Sequence, residues 1–224
     1  MPTRKEYVNG YFYKRDYFTG SKSNFDRLPR GYLFLNRGLF WQGKIKRISK
    51  HVPGGKVLDI GCGYGFLLYF MKERYEIHGC DLSPHAIRMC KKIFPDLPSE
   101  RFFVHNITEE LPFPEEHFDV IICQDVIEHI KDITTPLQNI HKALKKGSIF
   151  LFKIPIKTRN RISEALRLDK DPTHVSVHYE EDLMKILREI GFKLLERRYV
   201  WWGGVPMPRF IKSGSDISMI LQKK

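Results

Sequence analysis

The sequence predicts an α/β chain built on a doubly wound, mostly parallel sheet with helices on both faces, and three observations carry that prediction. An apolar run interrupted only by its acid, Val57-Leu58-Asp59-Ile60, breaks into the alternating glycines Gly61, Gly63 and Gly65 before a second apolar stretch opens at Phe66. A second strand-like segment, Glu76 to Asp81, also ends on a carboxylate. Strand-like and helix-like segments then alternate along the chain without internal repeats or low-complexity tracts, which is the order that βαβ units produce.

Residues 1–54 read as an aromatic arm followed by a covering helix. Tyr7, Tyr11, Phe12, Tyr13, Tyr17 and Phe18 are interleaved with Lys14, Arg15 and Asp16 without a strand period. Such an arm either closes over a bound ligand or docks onto the sheet. From Tyr32 to Lys50, the apolar residues Leu35, Leu39, Ile45 and Ile48 recur at roughly helical spacing, and Pro53-Gly54-Gly55 ends that helix. The core then spans 55–224 as one domain. Its first strand has the Val/Leu/Ile content of a strand covered on both faces. Glycine follows where the backbone turns sharply and where a ligand touches main-chain atoms with no Cβ in the way. The next helix, about Phe66 to Arg74, presents its free N–H groups to the same place.

Ser83-Pro84 is an N-cap followed by a first-turn proline, and opens a helix that runs to about Phe94. Arg101 to His105 is a third strand and Phe118 to Asp125 a fourth, with the proline-bounded turn Leu111-Pro112-Phe113-Pro114 between them. Thr135-Pro136 starts a helix carrying Leu137, Ile140 and Leu144 on one face and stopping at Gly147. The strand Ser148 to Ile156 is apolar throughout except at Lys153. A polar insertion, about 157–178, is more than the core needs and is a natural place for substrate contacts. Glu180 to Ile190 is a helix closed by Gly191, and Phe192 to Val200 and Asp216 to Lys223 are the last strands. The connection 201–215, rich in Gly, Pro and aromatic residues, is a candidate pocket wall.

Glycine spacing selects between ligands. A dinucleotide turn reads G-x-G-x-x-G and requires glycine where this chain has Phe66. Here an acid precedes G-x-G-x-G, the second strand ends in Asp81, Asn106-Ile107 follows the third, and Gln124-Asp125-Val126-Ile127-Glu128-His129-Ile130 closes the fourth. Together, over about position 55 to the C-terminus, these resemble the class I S-adenosylmethionine-dependent methyltransferases, and most of all their small-molecule branch of quinone-biosynthesis and other O- and C-methyltransferases. The resemblance implies a Rossmann-like sheet of seven strands with the last inserted antiparallel, S-adenosylmethionine as cofactor and S-adenosylhomocysteine as product. It implies that Asp59, Gly61, Cys62, Gly63, Tyr64 and Gly65 hold the methionine part, with Asp59 organising the ammonium group directly or through water. Asp81, beside Leu82, is expected to accept hydrogen bonds from the ribose hydroxyls. Asn106 and Ile107 are expected at the adenine; Asn stands where the family usually has Asp, and its amide oxygen still accepts a hydrogen bond. Asp125 and Val126 end the fourth strand over the cofactor.

Two histidines are candidate catalytic bases, because a neutral imidazole near its ordinary pKa takes the proton of a phenol or acid-type hydroxyl. His129 follows the fourth strand and His174 follows Asp171-Pro172-Thr173; the structural alternatives are that His129 bonds nearby backbone and His174 anchors a loop. Cys62, Cys80, Cys90 and Cys123 lack C-x-x-C or Cys/His metal spacing, so packed, reduced thiols and no metal are expected. No Asn/Asp-Pro-Pro-aromatic motif follows the fourth strand, which argues against amino-methylation of nucleobases. Cys123 sits inside a strand without preceding prolines, which argues against cytosine C5 chemistry.

The formal charge of +12 is dispersed in pairs such as Lys91-Lys92, Lys145-Lys146 and Arg197-Arg198, the pattern of a solvated surface; nucleic-acid binding through counterion release is the less favoured reading. No run approaches the roughly 18 apolar residues of a membrane span, and the opening Met1-Pro2-Thr3-Arg4 leads into no signal-peptide core, so a cytoplasmic location is expected. The resulting expectation is a methyltransferase for a small-molecule or lipid-like acceptor, by O- or C-methylation. The alternatives are an RNA or protein methyltransferase and a non-catalytic cofactor-binding module.

Overall fold

The computed structural model describes residues 30–157, 173–201, 205–206 and 215–224, with side chains for all of these except residues 30–40, 201, 205 and 206. The aromatic arm and most of the two substrate-side segments expected from the sequence therefore lie outside the described residues. The chain divides into two compact units, Met1–Asn106 and Ile107–Lys224.

The first unit carries α1 (Arg30–His51), β1 (Gly55–Ile60), α2 (Phe66–Tyr69), β2 (Tyr75–Asp81), α3 (Pro84–Ile93) and, after a 3₁₀ turn, β3 (Phe102–Val104). All three strands are parallel, with β2 in the middle: Ile60 lies opposite Cys80, and Asp81 opposite Val104. Val57, Leu58, Ile77 and Cys80 are buried, as strands covered on both faces require. Ser83 caps α3 as its sequence announces, its Oγ accepting from the Ala86 N–H at 3.2 Å. Phe94, at the end of α3, stacks on Phe102 with ring centroids 5.0 Å apart. The expected Phe66–Arg74 helix is instead one α-turn. Past Tyr69 the chain tightens through i→i−3 bonds, Phe70 to Leu67 and Met71 to Leu68. That tightening buries Met71 and lets the Tyr75 N–H reach the Met71 carbonyl as β2 begins.

The second unit carries β4 (Phe118–Gln124), a 3₁₀ turn (Ile127–His129), α4 (Thr134–Ala143), β5 (Leu144–Lys157), β6 (His178–Tyr179), α5 (Glu180–Ile190), β7 (Phe192–Trp201), β8 (Val205–Pro206) and β9 (Asp216–Lys223). Its strand order is β4-β5-β9-β7-β8, with β6 beside the end of β5. β4 and β5 are parallel, and β9 runs antiparallel between β5 and β7, as expected of the last strand. Two strands exceed the seven expected, β6 and β8, and each has only two residues, too few to show a hydrophobic period. α4 ends before Gly147: Leu144 already pairs with Phe118 in the sheet, and Gly147, at φ 79°, sits where the register shifts. Ile149, Phe150, Leu151, Phe152 and Ile154 of β5 are fully buried, each contributing about 1.5–3 kcal/mol of apolar transfer. Among the described residues no helix is long and apolar enough to cross a membrane.

Candidate functional site

The first unit gathers its chemistry where β1 and β2 end. Gly61, Gly63 and Gly65 have φ of 73°, 55° and 76°, the left-handed region that glycine enters without strain. The turn is held by the Cys80 carbonyl, which accepts from the N–H groups of Gly61 (2.8 Å) and Cys62 (3.0 Å). Asp81 closes it from the other side: Oδ2 accepts from the Gly63 N–H at 2.9 Å and Oδ1 from the Ser83 N–H at 2.8 Å. Each oxygen keeps a second lone pair, so the carboxylate can still take two hydroxyl donors from a ribose. Tyr64 pairs its hydroxyl with His85 Nε2 at 3.2 Å. Leu82 is half-buried and Asn106 exposed. In the second unit Ile107 is buried, and its carbonyl accepts from Asn139 Nδ2 at 3.0 Å.

Gly65 is also required sterically. A Cβ there would lie 2.7 Å from Cys90 Sγ and 2.8 Å from Phe94 Cε2. Gly65→Ala is expected to lower stability by about 1–2 kcal/mol, read as a fall in the urea midpoint. Gly43→Ala, where a Cβ in α1 meets nothing within 4 Å, is expected to be neutral or mildly stabilising.

Two buried carboxylates set the electrostatics of this turn. Burial pushes Asp59 up to about 7; Lys44 opposes the rise and Asp81 adds to it. Burial likewise raises Asp81, offset by the N–H groups of Ser83 and Gly63. The Cys62 thiol is held neutral, first by its hydrogen bond with Cys90 and then by burial, and burial raises Cys80 strongly. All four cysteines are free and buried, so these thiols are packing groups rather than nucleophiles. A ligand carrying an ammonium group and a ribose diol fits this donor and acceptor set: the cation offsets the disfavoured Asp59 carboxylate, and the diol meets the free lone pairs of Asp81.

The second unit holds a separate polar cluster at the end of β4. Asp125 adopts φ 56°, a conformation Asp tolerates better than most residues. Its N–H donates to the Lys153 carbonyl at 3.1 Å, and its Oδ1 accepts from Lys153 Nζ at 2.6 Å. Lys153 also lies 3.2 Å from Asp216 Oδ2. Burial disfavours the Lys153 charge, but Asp125 and Asp216 outweigh it and hold the ammonium protonated. Val126 is half-buried.

Glu128 is 1% exposed; burial, reinforced by Asp125 and opposed by Lys153, raises its pKa well above the usual carboxylate range. Its carbonyl accepts from the N–H groups of Val175 (2.9 Å) and Ser176 (3.0 Å). That pins the 173–176 segment beside it. His129 Nδ1 meets Thr173 Oγ1 at 2.9 Å and the Thr173 carbonyl at 3.3 Å. The rings of His129 and His174 are 4.9 Å apart at 65°. The two histidines that the sequence offers separately thus face one another. Sequence reasoning missed the partnership of Lys153 with Asp125 and Asp216, although a lone lysine in an apolar strand is the signal that points to it.

Comparison with known proteins identifies the fold and the family. A solved S-adenosylmethionine-dependent methyltransferase from Clostridium acetobutylicum superposes over 87% of this chain and 96% of its own, with a TM-score of 0.63 at 18% identity. The fold is therefore the Rossmann-like methyltransferase fold. Residues 34–197 match the family described as methyltransferase domain, and the chain belongs to the S-adenosylmethionine-dependent methyltransferase family. The solved neighbour is named for dependence on S-adenosylmethionine. Phosphoethanolamine N-methyltransferase of Triticum aestivum is 32% identical over 151 residues, which cover 62% of this chain and 28% of that protein. Demethylmenaquinone methyltransferase of Chlorobaculum parvum is 26% identical over 159 residues, covering 66% of this chain and 64% of that protein. The chain thus spans under two thirds of the length of these relatives.

Proposed function

We propose that this chain transfers a methyl group from S-adenosylmethionine to a small-molecule or lipid-like acceptor, by O- or C-methylation. The observation that carries the reading is the glycine turn closed by Asp81, with a second buried acid, Asp59, one strand away. Relatives named for phosphoethanolamine and demethylmenaquinone support a small acceptor over a nucleic acid. When bound, the sulfonium supplies a methyl group already activated for in-line displacement. The chain's residues then have to hold the acceptor in line and remove its proton where it has one. Asp59 and the glycine turn hold the methionine end, Asp81 with Leu82 the ribose, and Asn106 with Ile107 the adenine; Asp125 and Val126 complete the set. His129 and His174 are the candidate bases. The free, buried cysteines support a reducing, cytoplasmic setting.

Asp59 gives this reading a pH signature. Its pKa is raised on folding, so in the ligand-free chain it lowers stability as pH rises from the usual carboxylate range through about 7. Binding an ammonium group demands the ionised carboxylate. Affinity for S-adenosylmethionine is therefore expected to rise about fivefold from roughly pH 6 to roughly pH 7, while the ligand's own amine stays protonated. Calorimetry on the parent and on Asp59→Asn checks this, the slope disappearing in the variant.

Incubation with S-adenosylmethionine labelled in its methyl group, against phosphoethanolamine, demethylated quinols and total RNA in parallel, tests the function. Label in a small acceptor is the expected result. Label in RNA alone, with salt-sensitive binding, would replace this reading by the nucleic-acid alternative, and cofactor binding with no transfer to any acceptor would favour the non-catalytic module.

A further inference from the structure

We propose that Glu128, His129 and His174 form a binding site for one divalent first-row transition-metal ion. A carboxylate oxygen of Glu128 and one ring nitrogen from each histidine all lie within 4.8 Å of one another. His174 Nε2 is 3.9 Å from Glu128 Oε1. The sequence does not announce the set, because His174 is far from Glu128 along the chain and arrives through the backbone bonds that Val175 and Ser176 make to the Glu128 carbonyl. The expectation of no metal was read from the spacing of the cysteines, and none of them belongs to this set.

The state of the Glu128 carboxylate points to a cation. Glu128 is 1% exposed, and neither of its carboxylate oxygens has a hydrogen-bond partner among the described residues. A buried carboxylate without donors costs several kcal/mol unless it is neutralised or coordinated.

Thr173 holds one of the imidazoles through His129 Nδ1. In the tautomer whose Nδ1–H donates to the Thr173 carbonyl, Nε2 keeps its lone pair, the arrangement that orients metal-binding imidazoles in general. Two imidazoles and one carboxylate suit Zn²⁺, Mn²⁺ or Co²⁺ better than Mg²⁺ or Ca²⁺. Bond lengths of about 2.0–2.2 Å require the donors to draw together by about 1 Å, within reach of side-chain rotation. Three protein ligands leave a position open to water or to an oxygen of a small molecule. A ring nitrogen that ligates the ion is not free to take a proton, so an ion bound here replaces the role of His129 and His174 as bases; its binding is measurable without turnover.

The test is titration of the chelator-stripped, untagged full chain with Co²⁺ followed by its visible spectrum, and with Zn²⁺ by calorimetry. One ion per chain is expected, with a nitrogen/oxygen-ligand spectrum free of thiolate charge transfer. Affinity is expected to fall by at least about tenfold in Glu128→Gln and in His174→Ala. His174 is the more exposed of the two, so its variant provides the reading if Glu128→Gln does not fold. Absence of saturable binding to the parent chain would overturn the proposal, as would a thiolate spectrum or affinity unchanged in folded His174→Ala.

Discussion

Replacing Asp81 by alanine is expected to weaken S-adenosylmethionine binding by about 10- to 100-fold and to destabilise the ligand-free chain. Both effects come from the same two oxygens. Oδ2 holds the Gly63 N–H and Oδ1 the Ser83 N–H, so the carboxylate ties the glycine turn to the start of α3. Without it two backbone donors lose their acceptor, at about 1–3 kcal/mol each where they stay dry. The remaining lone pairs, assigned here to the ribose hydroxyls, are lost as well. Asp81→Asn separates the contributions, because it keeps the volume and one acceptor oxygen but turns an NH₂ group toward a backbone N–H. Calorimetric titration gives the binding term and urea unfolding the stability term. An unchanged affinity in a folded Asp81→Ala would mean that the ribose lies elsewhere.

Lys153→Met is expected to cost about 3 kcal/mol of stability. Lys153 lies in a strand whose neighbouring residues are fully buried and is 9% exposed itself; Asp216, whose side chain is 15% exposed, pairs with it. Removing one member of a buried ion pair typically costs about 3–5 kcal/mol. The Asp125 arm adds less, because that side chain is 54% exposed and solvent screens it. Met matches the length of the Lys stem, so packing is largely preserved and the change isolates charge. Urea unfolding with the slope checked for constancy measures it. A loss under about 1 kcal/mol would mean that the pair is solvated in solution.

Elements bounded by strong local signals were legible. α5 begins and ends as its acidic first turn and Gly191, at φ 112°, dictate, and β9 is the apolar run Asp216–Lys223. The failures occur where tertiary contacts override local pattern. Phe66 to Arg74 has helical apolar spacing, yet burial of Met71 and the start of β2 stop the helix after one turn. Leu144 fits a helix face equally well, and its pairing with Phe118 assigns it to β5. The turn at β1 was readable because Asp59 and the glycines are adjacent in the chain and Asp81 ends the next strand-like segment. The Glu128, His129 and His174 grouping was not, because its third member is delivered by a loop whose position depends on two backbone hydrogen bonds to Glu128.

The most direct test of the central claim is calorimetric titration of the full, cofactor-stripped chain with S-adenosylmethionine and, separately, with NAD. The glycine spacing, the paired acids and the family membership predict saturable binding of S-adenosylmethionine in the micromolar range and none of NAD. Binding of NAD, or of neither ligand to a folded sample, would contradict the assignment of the β1–β2 turn as a methyl-donor site.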